Sequence, residues 1–268
     1  MNALCQMTGL NRAGFYRWRA PQQSTPVEME IRDQMQQVAL EWPAYGYRRI
    51  TSELQQRGWA VNHKRVLRMM REDNLLCVRR RAFVVTTDSR HQWPVYPNLA
   101  RQIKPTAINQ LWVADITYIR LRTEFLYLAV VLDAFSRRVI GWALGATLEA
   151  RLAVTALRMA LIERRPAPGL VHHSDRGVQY ASAGYTELLK QHQVTISMSR
   201  KGNPYDNAAC ESFMKTLKYE EVYRNEYRDF HDAHASIGEF LERVYNQERL
   251  HSALGYLPPA KFENGARP

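Results

Sequence analysis

Several features are scarce or missing from this 268-residue chain, and each absence narrows what it can be. It has three cysteines, Cys5, Cys77 and Cys210, far apart and without a CxxC pair or matched histidine spacing, so neither a disulfide framework nor a zinc site is expected. Its longest apolar run, 125–132, falls far short of the ~20 residues a membrane-spanning helix needs. The first residues hold Arg12, Arg17 and Arg19 rather than an apolar signal core. A cytoplasmic protein with no membrane partner is the expectation. There is no GxxxxGK[ST] phosphate loop, no internal repeat and no low-complexity stretch. Acidic charge is also in deficit, with 26 Asp+Glu against 37 Lys+Arg and a formal net charge of +11. That balance favours a polyanionic partner through phosphate contacts and counterion release.

What is present reads as two kinds of region. Residues 1–78 are predicted to be helical, with two short helices in 1–20 and a longer helical region over 28–73. Within it a helix from Tyr47 stops at Gly58, and Asn62 is placed to cap a second helix over 63–72, a helix-turn-helix pattern. On that second helix Val66, Leu67 and Met70 fall on a core face, whereas Lys64, Arg68 and Arg71 recur on another. A basic stripe suits a helix lying in a DNA groove; an ordinary solvated face is the alternative. Residues 79–105, with Arg79, Arg80 and Arg81 followed by Pro94, Pro97 and Pro105, read as a basic extended linker.

Beyond the linker, strands are predicted over 111–119, 125–133 and 137–144, a helix over 148–163, a strand over 169–173, a helix over 181–192, a strand over 194–198 and a helix over 206–220. A three-strand meander followed by alternating helices and strands, βββαβαβα, implies an α/β fold with a mixed sheet covered on both faces, the order of ribonuclease H-like proteins. This core is placed at 106–222, with a helical C-terminal extension over 223–268 in which Leu257-Pro258-Pro259 ends regular structure.

Three acids stand out by context. Asp115 lies in the middle of a strand, Asp175 at a strand end before Arg176-Gly177, and Glu211 on a helix after a Gly/Pro loop. A mid-strand carboxylate must be paired, hydrogen-bonded or metal-bound. Three convergent carboxylates supply the hard oxygen donors that Mg²⁺ prefers. On the third helix Asn207, Lys215 and Lys218 share the face of Glu211, presenting cations to the same groove. His173 alternates onto the side of Asp175 and is placed either against a phosphate or metal-bound water, or as an orienting group. Arg176, at a helix start, suits a phosphate or an acid partner. Asp133 reads as a turn-capping acid, His172 as core, and Arg249 and His251 as fasteners of the C-terminal segment.

The blocks Trp112-x-x-Asp115-Ile116-Thr117-Tyr118, His173-Ser174-Asp175-Arg176-Gly177-x-Gln179-Tyr180 and Asp206-Asn207-Ala208-x-x-Glu211-Ser212-Phe213, with Lys218 beyond, resemble the second-reading-frame (OrfB) transposases of copy-out/paste-in bacterial insertion sequences, relatives of retroviral integrases. Tyr45-Gly46-Tyr47-Arg48-Arg49-Ile50 and Tyr245-Asn246-x-x-Arg249-x-His251-x-x-Leu254 match the same family. The resemblance implies an Asp-Asp-Glu catalytic core, with Asp115, Asp175 and Glu211 as ligands of two Mg²⁺ or Mn²⁺ ions and Lys218 in contact with terminal DNA. It further implies double-stranded element ends and target DNA as partners, a homodimer or larger assembly on DNA, and fusion to an upstream reading-frame product carrying a further helix-turn-helix. A metal-dependent nuclease that only hydrolyses, and a non-catalytic helix-turn-helix regulator, are the alternative readings.

Overall fold

The computed structural model describes residues 26–73, 75, 94–122, 124–200 and 207–265. The chain divides into two compact units, Met1–Val78 and Arg79–Pro268, and each is described by itself. The two short helices predicted in residues 1–20, the first part of the basic linker and the Gly/Pro loop before Glu211 lie outside the described residues.

In the first unit, α1 (Pro26–Glu41), α2 (Tyr47–Gln56) and α3 (His63–Glu72) close around Ile31, Met35, Val38, Ile50, Leu54, Val66, Met69 and Met70. Gly58 takes φ +89°, a left-handed conformation that stops α2 at little cost only because the residue has no Cβ. Asn62 caps α3 as predicted, its Oδ1 accepting from the Arg65 N–H at 2.9 Å. Met69 joins Val66 and Met70 in the core, while the predicted Leu67 is only half-buried, because 3.6-residue periodicity carries the apolar face one residue round.

The second unit holds a five-stranded sheet of β1 (Leu111–Arg120), β2 (Phe125–Asp133), β3 (Val139–Gly145), β4 (Val171–Ser174) and β5 (Thr195–Met198), in the order β3-β2-β1-β4-β5. The meander pairs antiparallel, and β4 runs parallel to both β1 and β5. One face buries Val113, Leu128 and Val130 against α7 (Ala208–Leu217) and the C-terminal helices. The other buries Trp112, Ala129 and Val131 against α4 (Ala150–Arg164), α5 (Val178–Ala181) and α6 (Ala183–Gln191). Alternation along β1 and β2 thus feeds two cores from one sheet. On β3, a Cβ at Gly141 would lie 2.2 Å from the Ala156 carbonyl oxygen, so the backbone of α4 rests directly on the strand.

Residues 94–105, the later part of the extended linker expected from sequence, hold little regular secondary structure. The Leu99 and Ala100 N–H groups donate to Ser197 Oγ at 2.9 and 3.3 Å, docking this segment on β5. After α7 the helix widens into a π-turn, Lys218–Val222, in which the Tyr223 N–H reaches back to the Lys218 carbonyl at 2.8 Å. The predicted C-terminal helix is α8 (Phe230–Glu239), continued by π-helical residues Phe240–Glu248. Regular structure does not end at Pro258-Pro259. Pro259 begins α9 (Pro259–Gly265), where its missing N–H costs nothing at a first helical position.

Candidate active site

Strand register brings the first two acids level. Val113 of β1 pairs with His173 of β4, so Asp115 and Asp175 each lie two residues further along parallel neighbours, whose spacing is about 4.8 Å. β4 ends at Ser174, which leaves Asp175 at the sheet's rim. There its Oδ1 accepts from the Gly177 N–H at 2.8 Å. A Cβ at Gly177 would come within 2.9 Å of that oxygen, so glycine is what lets the turn close on the carboxylate. The third acid comes from α7, whose buried Cys210, Phe213, Met214 and Leu217 fix it on the sheet. Asn207 Nδ2 donates to the Ala114 carbonyl at 3.0 Å, pinning the helix start beside Asp115. Glu211 follows one turn later, about 6 Å along the axis.

The electrostatics join these groups. Burial, then the charge of Asp175, push the Asp115 pKa from 3.8 up to about 7; Glu211 adds to the rise, while the Ile116 N–H, donating to Oδ1 at 2.9 Å, and Lys218 oppose it. Three carboxylates therefore lie in one another's field, with Lys218 beside them. Lys215 Nζ stands 2.8 Å from Glu211 Oε1. Lys218 Nζ lies 4.6 Å from the centre of the Tyr118 ring, its pKa lowered by burial against the pull of Asp115.

Among the described residues no three Asp, Glu, His or Cys side chains stand close enough to enclose a metal ion. The donor set nevertheless fits one. All three donors are hard oxygens, burial and then the neighbouring carboxylates raise the Asp115 pKa, and the Asn207 Oδ1 beside them is buried with no hydrogen-bond partner. A divalent cation would relieve the repulsion that raises Asp115.

The remaining expected site residues divide. His173 is fully buried, with Nδ1 2.8 Å from Ser197 Oγ and Nε2 3.0 Å from Ser199 Oγ. Its ring nitrogens thus bond to serines on β5 and just beyond it, an arrangement in line with the orienting alternative. Arg176 donates from Nε to the Ser199 carbonyl at 2.7 Å, which holds its turn against the end of β5. In the first unit Lys64 and Arg71 are exposed, whereas Arg68 pairs with Glu28 at 3.1 Å and Glu72 at 3.0 Å. The basic stripe is thus interrupted by an acid from α1 that no local pattern on α3 reveals. Tyr118, which receives Lys218, was not singled out from sequence; its place in the Asp115 strand block was the available signal.

The expected structural residues take the parts assigned to them. Asp133 Oδ1 accepts from the Phe135 and Ser136 N–H groups, both at 3.0 Å, and Oδ2 from Asn109 N–H at 2.7 Å. His172 is buried against the Tyr185 hydroxyl at 2.9 Å, and burial followed by His173 lowers its pKa to about 3. Arg249 clasps Glu220 through two bonds of 2.7 and 2.6 Å.

Family models described as an HTH-like domain match residues 26–83, and models described as integrase core domains match 105–204 and 192–259. The chain is 40% identical over 266 residues to the insertion element IS600 31 kDa protein of Shigella sonnei, covering 97% of each. It is 37% identical over 270 residues to the transposase InsF for insertion sequence IS3A of Escherichia coli K12, covering 98% of this chain and 94% of that one. Among solved structures, a chain of the simian T-cell lymphotropic virus intasome shares the fold, with 14% identity and a TM-score of 0.51 over 86% of this chain and 74% of that one. An HTH-like module followed by a ribonuclease H-like integrase core defines a DDE-type polynucleotidyl transferase. The chain belongs to the transposase family of IS3-type insertion sequences.

Proposed function

We propose that Asp115, Asp175 and Glu211 are the catalytic acids of this transposase, and that they act on the ends of its insertion sequence by 3′-end cleavage followed by strand transfer. The observation that carries this reading is geometric: strand register sets Asp115 and Asp175 on neighbouring parallel strands, and the Asn207–Ala114 hydrogen bond brings the Glu211 helix beside them, while burial first and then the charges of Asp175 and Glu211 raise the Asp115 pKa to about 7. Two Mg²⁺ or Mn²⁺ ions held by the three carboxylates would activate the attacking oxygen and stabilise the leaving one. Asn207 holds the Glu211 helix to β1, and the Asp175 turn is held by Gly177, so both outer acids are positioned before any ligand arrives. Lys218 stands where it can neutralise a phosphate next to the acids, and Lys215 can turn from Glu211 to the same backbone. Arg176 lines the rim beside Asp175. One phosphodiester is exchanged for another in strand transfer, so the joining step needs no nucleotide cofactor.

Lys64, Arg68 and Arg71 are assigned to the backbone of element DNA, with Lys64 and Arg71 carrying most of the contact because Arg68 already has acidic partners. Two element ends must meet before joining, which calls for a dimer or larger assembly on DNA. Fusion to an upstream reading-frame product would supply further end recognition. Among the described residues no helix is long and apolar enough to cross a membrane.

The test is substitution of each acid. Asp115→Asn, Asp175→Asn and Glu211→Gln should each lower cleavage and joining of labelled element ends by roughly a thousandfold or more, with DNA affinity retained. Near wild-type joining by any one of them would falsify the assignment of that acid.

A further inference from the structure

Beside the acids lies an aromatic cluster that the assignment of acids and lysines leaves unexplained. Tyr118 sits three residues beyond Asp115 on β1, about 10 Å along the strand. Its ring meets Phe125 edge-on at 5.8 Å between centroids, and Lys218 Nζ lies over it at 4.6 Å. The π-turn then brings in Tyr219 and Tyr223, whose rings meet at 5.6 Å and 90°. Burial, and after it the influence of Tyr118 and Tyr219, raise the Tyr223 pKa. Yet Tyr223 remains 60% exposed and Phe125 49% exposed. Large aromatic side chains left open together on a soluble surface mark a binding site more often than a packing accident.

The geometry points to a stacking platform for an unpaired DNA base next to the scissile phosphate, formed by Tyr223, Tyr118 and Phe125 with Lys218 on the adjoining backbone. This deepens the proposed function and rests on it. Charge selects the occupant. Lys218 lies in the field of Asp115 and over Tyr118 at once, so a phosphate held by Lys218 places its neighbouring base within reach of the rings. An aromatic face with an adjacent cation is the arrangement by which single strands are held without sequence preference. A second protein chain would need an apolar surface to match, and here Arg120 is the cross-strand partner of Phe125 and Lys218 lies over Tyr118, while Arg122 is paired with Glu226. Unpairing at the end of the element would give the acids access to a phosphodiester otherwise enclosed by the duplex, and a platform for the freed base would hold it out of the way.

The full chain is tested with a short duplex whose frayed end carries 2-aminopurine, in Ca²⁺ to prevent chemistry, against the same duplex with a blunt, fully paired end. Wild-type protein should quench the 2-aminopurine fluorescence and prefer the frayed end. Tyr223→Ala should abolish most of the quenching and reduce that preference about tenfold, the scale of one base–aromatic stack, with blunt-duplex affinity unchanged. Tyr223→Phe should restore both, because the ring rather than the hydroxyl carries the contact. Undiminished quenching in Tyr223→Ala overturns the platform, as does a Tyr223→Phe variant that behaves like Ala. So does a loss of self-association in Tyr223→Ala with quenching intact, which would assign the patch to a second copy. Failure of the wild-type protein to bind even the blunt duplex would instead strike at the proposed function itself.

Discussion

Two sets of acids share the second unit and are treated in opposite ways. At the rim of β1 and β4, Asp115 has one backbone donor, two acidic neighbours and a pKa driven up to about 7. Elsewhere in the same unit Asp133, Glu221 and Glu263 are more deeply buried than the half-buried Asp115 but furnished with partners. Asp133 receives three backbone N–H groups, Glu221 Oε1 accepts from Tyr227 at 3.0 Å and Ser236 at 2.6 Å, and Glu263 accepts from Arg138 at 2.9 Å and Arg164 at 2.6 Å. Burial alone would raise the Glu263 pKa, yet hydrogen bonding from Arg164 holds it below the ordinary value. Burial does raise Asp133, against its backbone donors. A buried acid with partners holds the fold together; one set among like charges stores a demand that a cation can meet.

The largest expected effect comes from breaking the furnished set. Glu263→Ala leaves Arg164, itself nearly buried, without its carboxylate, and should lower unfolding free energy by about 3–5 kcal/mol in urea titrations. A loss below about 1 kcal/mol would erase the distinction between the two sets. The opposite sign is expected at the rim. A carboxylate whose pKa is raised on folding, here from 3.8 to about 7, contributes stability below the lower value that is lost as pH rises through the upper one. In chelator, Asp115→Asn should therefore melt higher than wild type by about 2 kcal/mol at pH 8, with the advantage gone by about pH 4. Added Mn²⁺ should close the gap at pH 8, since only wild type retains the ligand. A variant less stable than wild type at pH 8 would remove the argument from repulsion.

The smallest effect carries the comparison over to cations. Lys64 and Arg71 are exposed on α3, while Arg68 is committed to Glu28 and Glu72. Replacing Lys64 and Arg71 together by Gln should reduce the slope of log affinity against log salt by about two, near 0.9 per lost phosphate contact. Arg68→Gln should instead leave the slope nearly unchanged and loosen the first unit, read as a lower melting temperature. A slope reduced by about one in Arg68→Gln would show instead that its intramolecular pairs give way on DNA.

Local pattern carried much of this. The succession of elements along the chain, the bounds of β2, the cap at Asn62 and the turn role of Asp133 follow from alternation, caps and turn chemistry, all set by residues a few positions apart. What escaped was non-local or irregular. Glu28 reaches Arg68 across forty positions, and Ser197 and Ser199 claim His173 from another strand, so neither the interrupted stripe nor the buried imidazole shows on its own element. For the acids, context singled out Asp115, Asp175 and Glu211, but their coupling depends on register between strands that lie far apart in the chain. Lys218 was placed by counting α-helical turns from Glu211. The π-turn begins at that residue, and the ammonium lies over Tyr118 instead of continuing a straight stripe.

That π-turn has a consequence for how the molecule tolerates changes in length. Each residue of an α-helix turns the chain through about 100°, and a π-turn accommodates one residue beyond that count. The extra residue acts as a phase shifter between the helix bearing Glu211 and everything that follows. With it, Glu220 faces Arg249, Glu221 faces Tyr227 and Ser236, and Tyr223 faces outward. Deleting one residue from this stretch would straighten the helix and swing all three through about a quarter turn. A substitution there changes one contact, whereas a single-codon deletion would misalign the whole C-terminal extension while leaving its sequence intact.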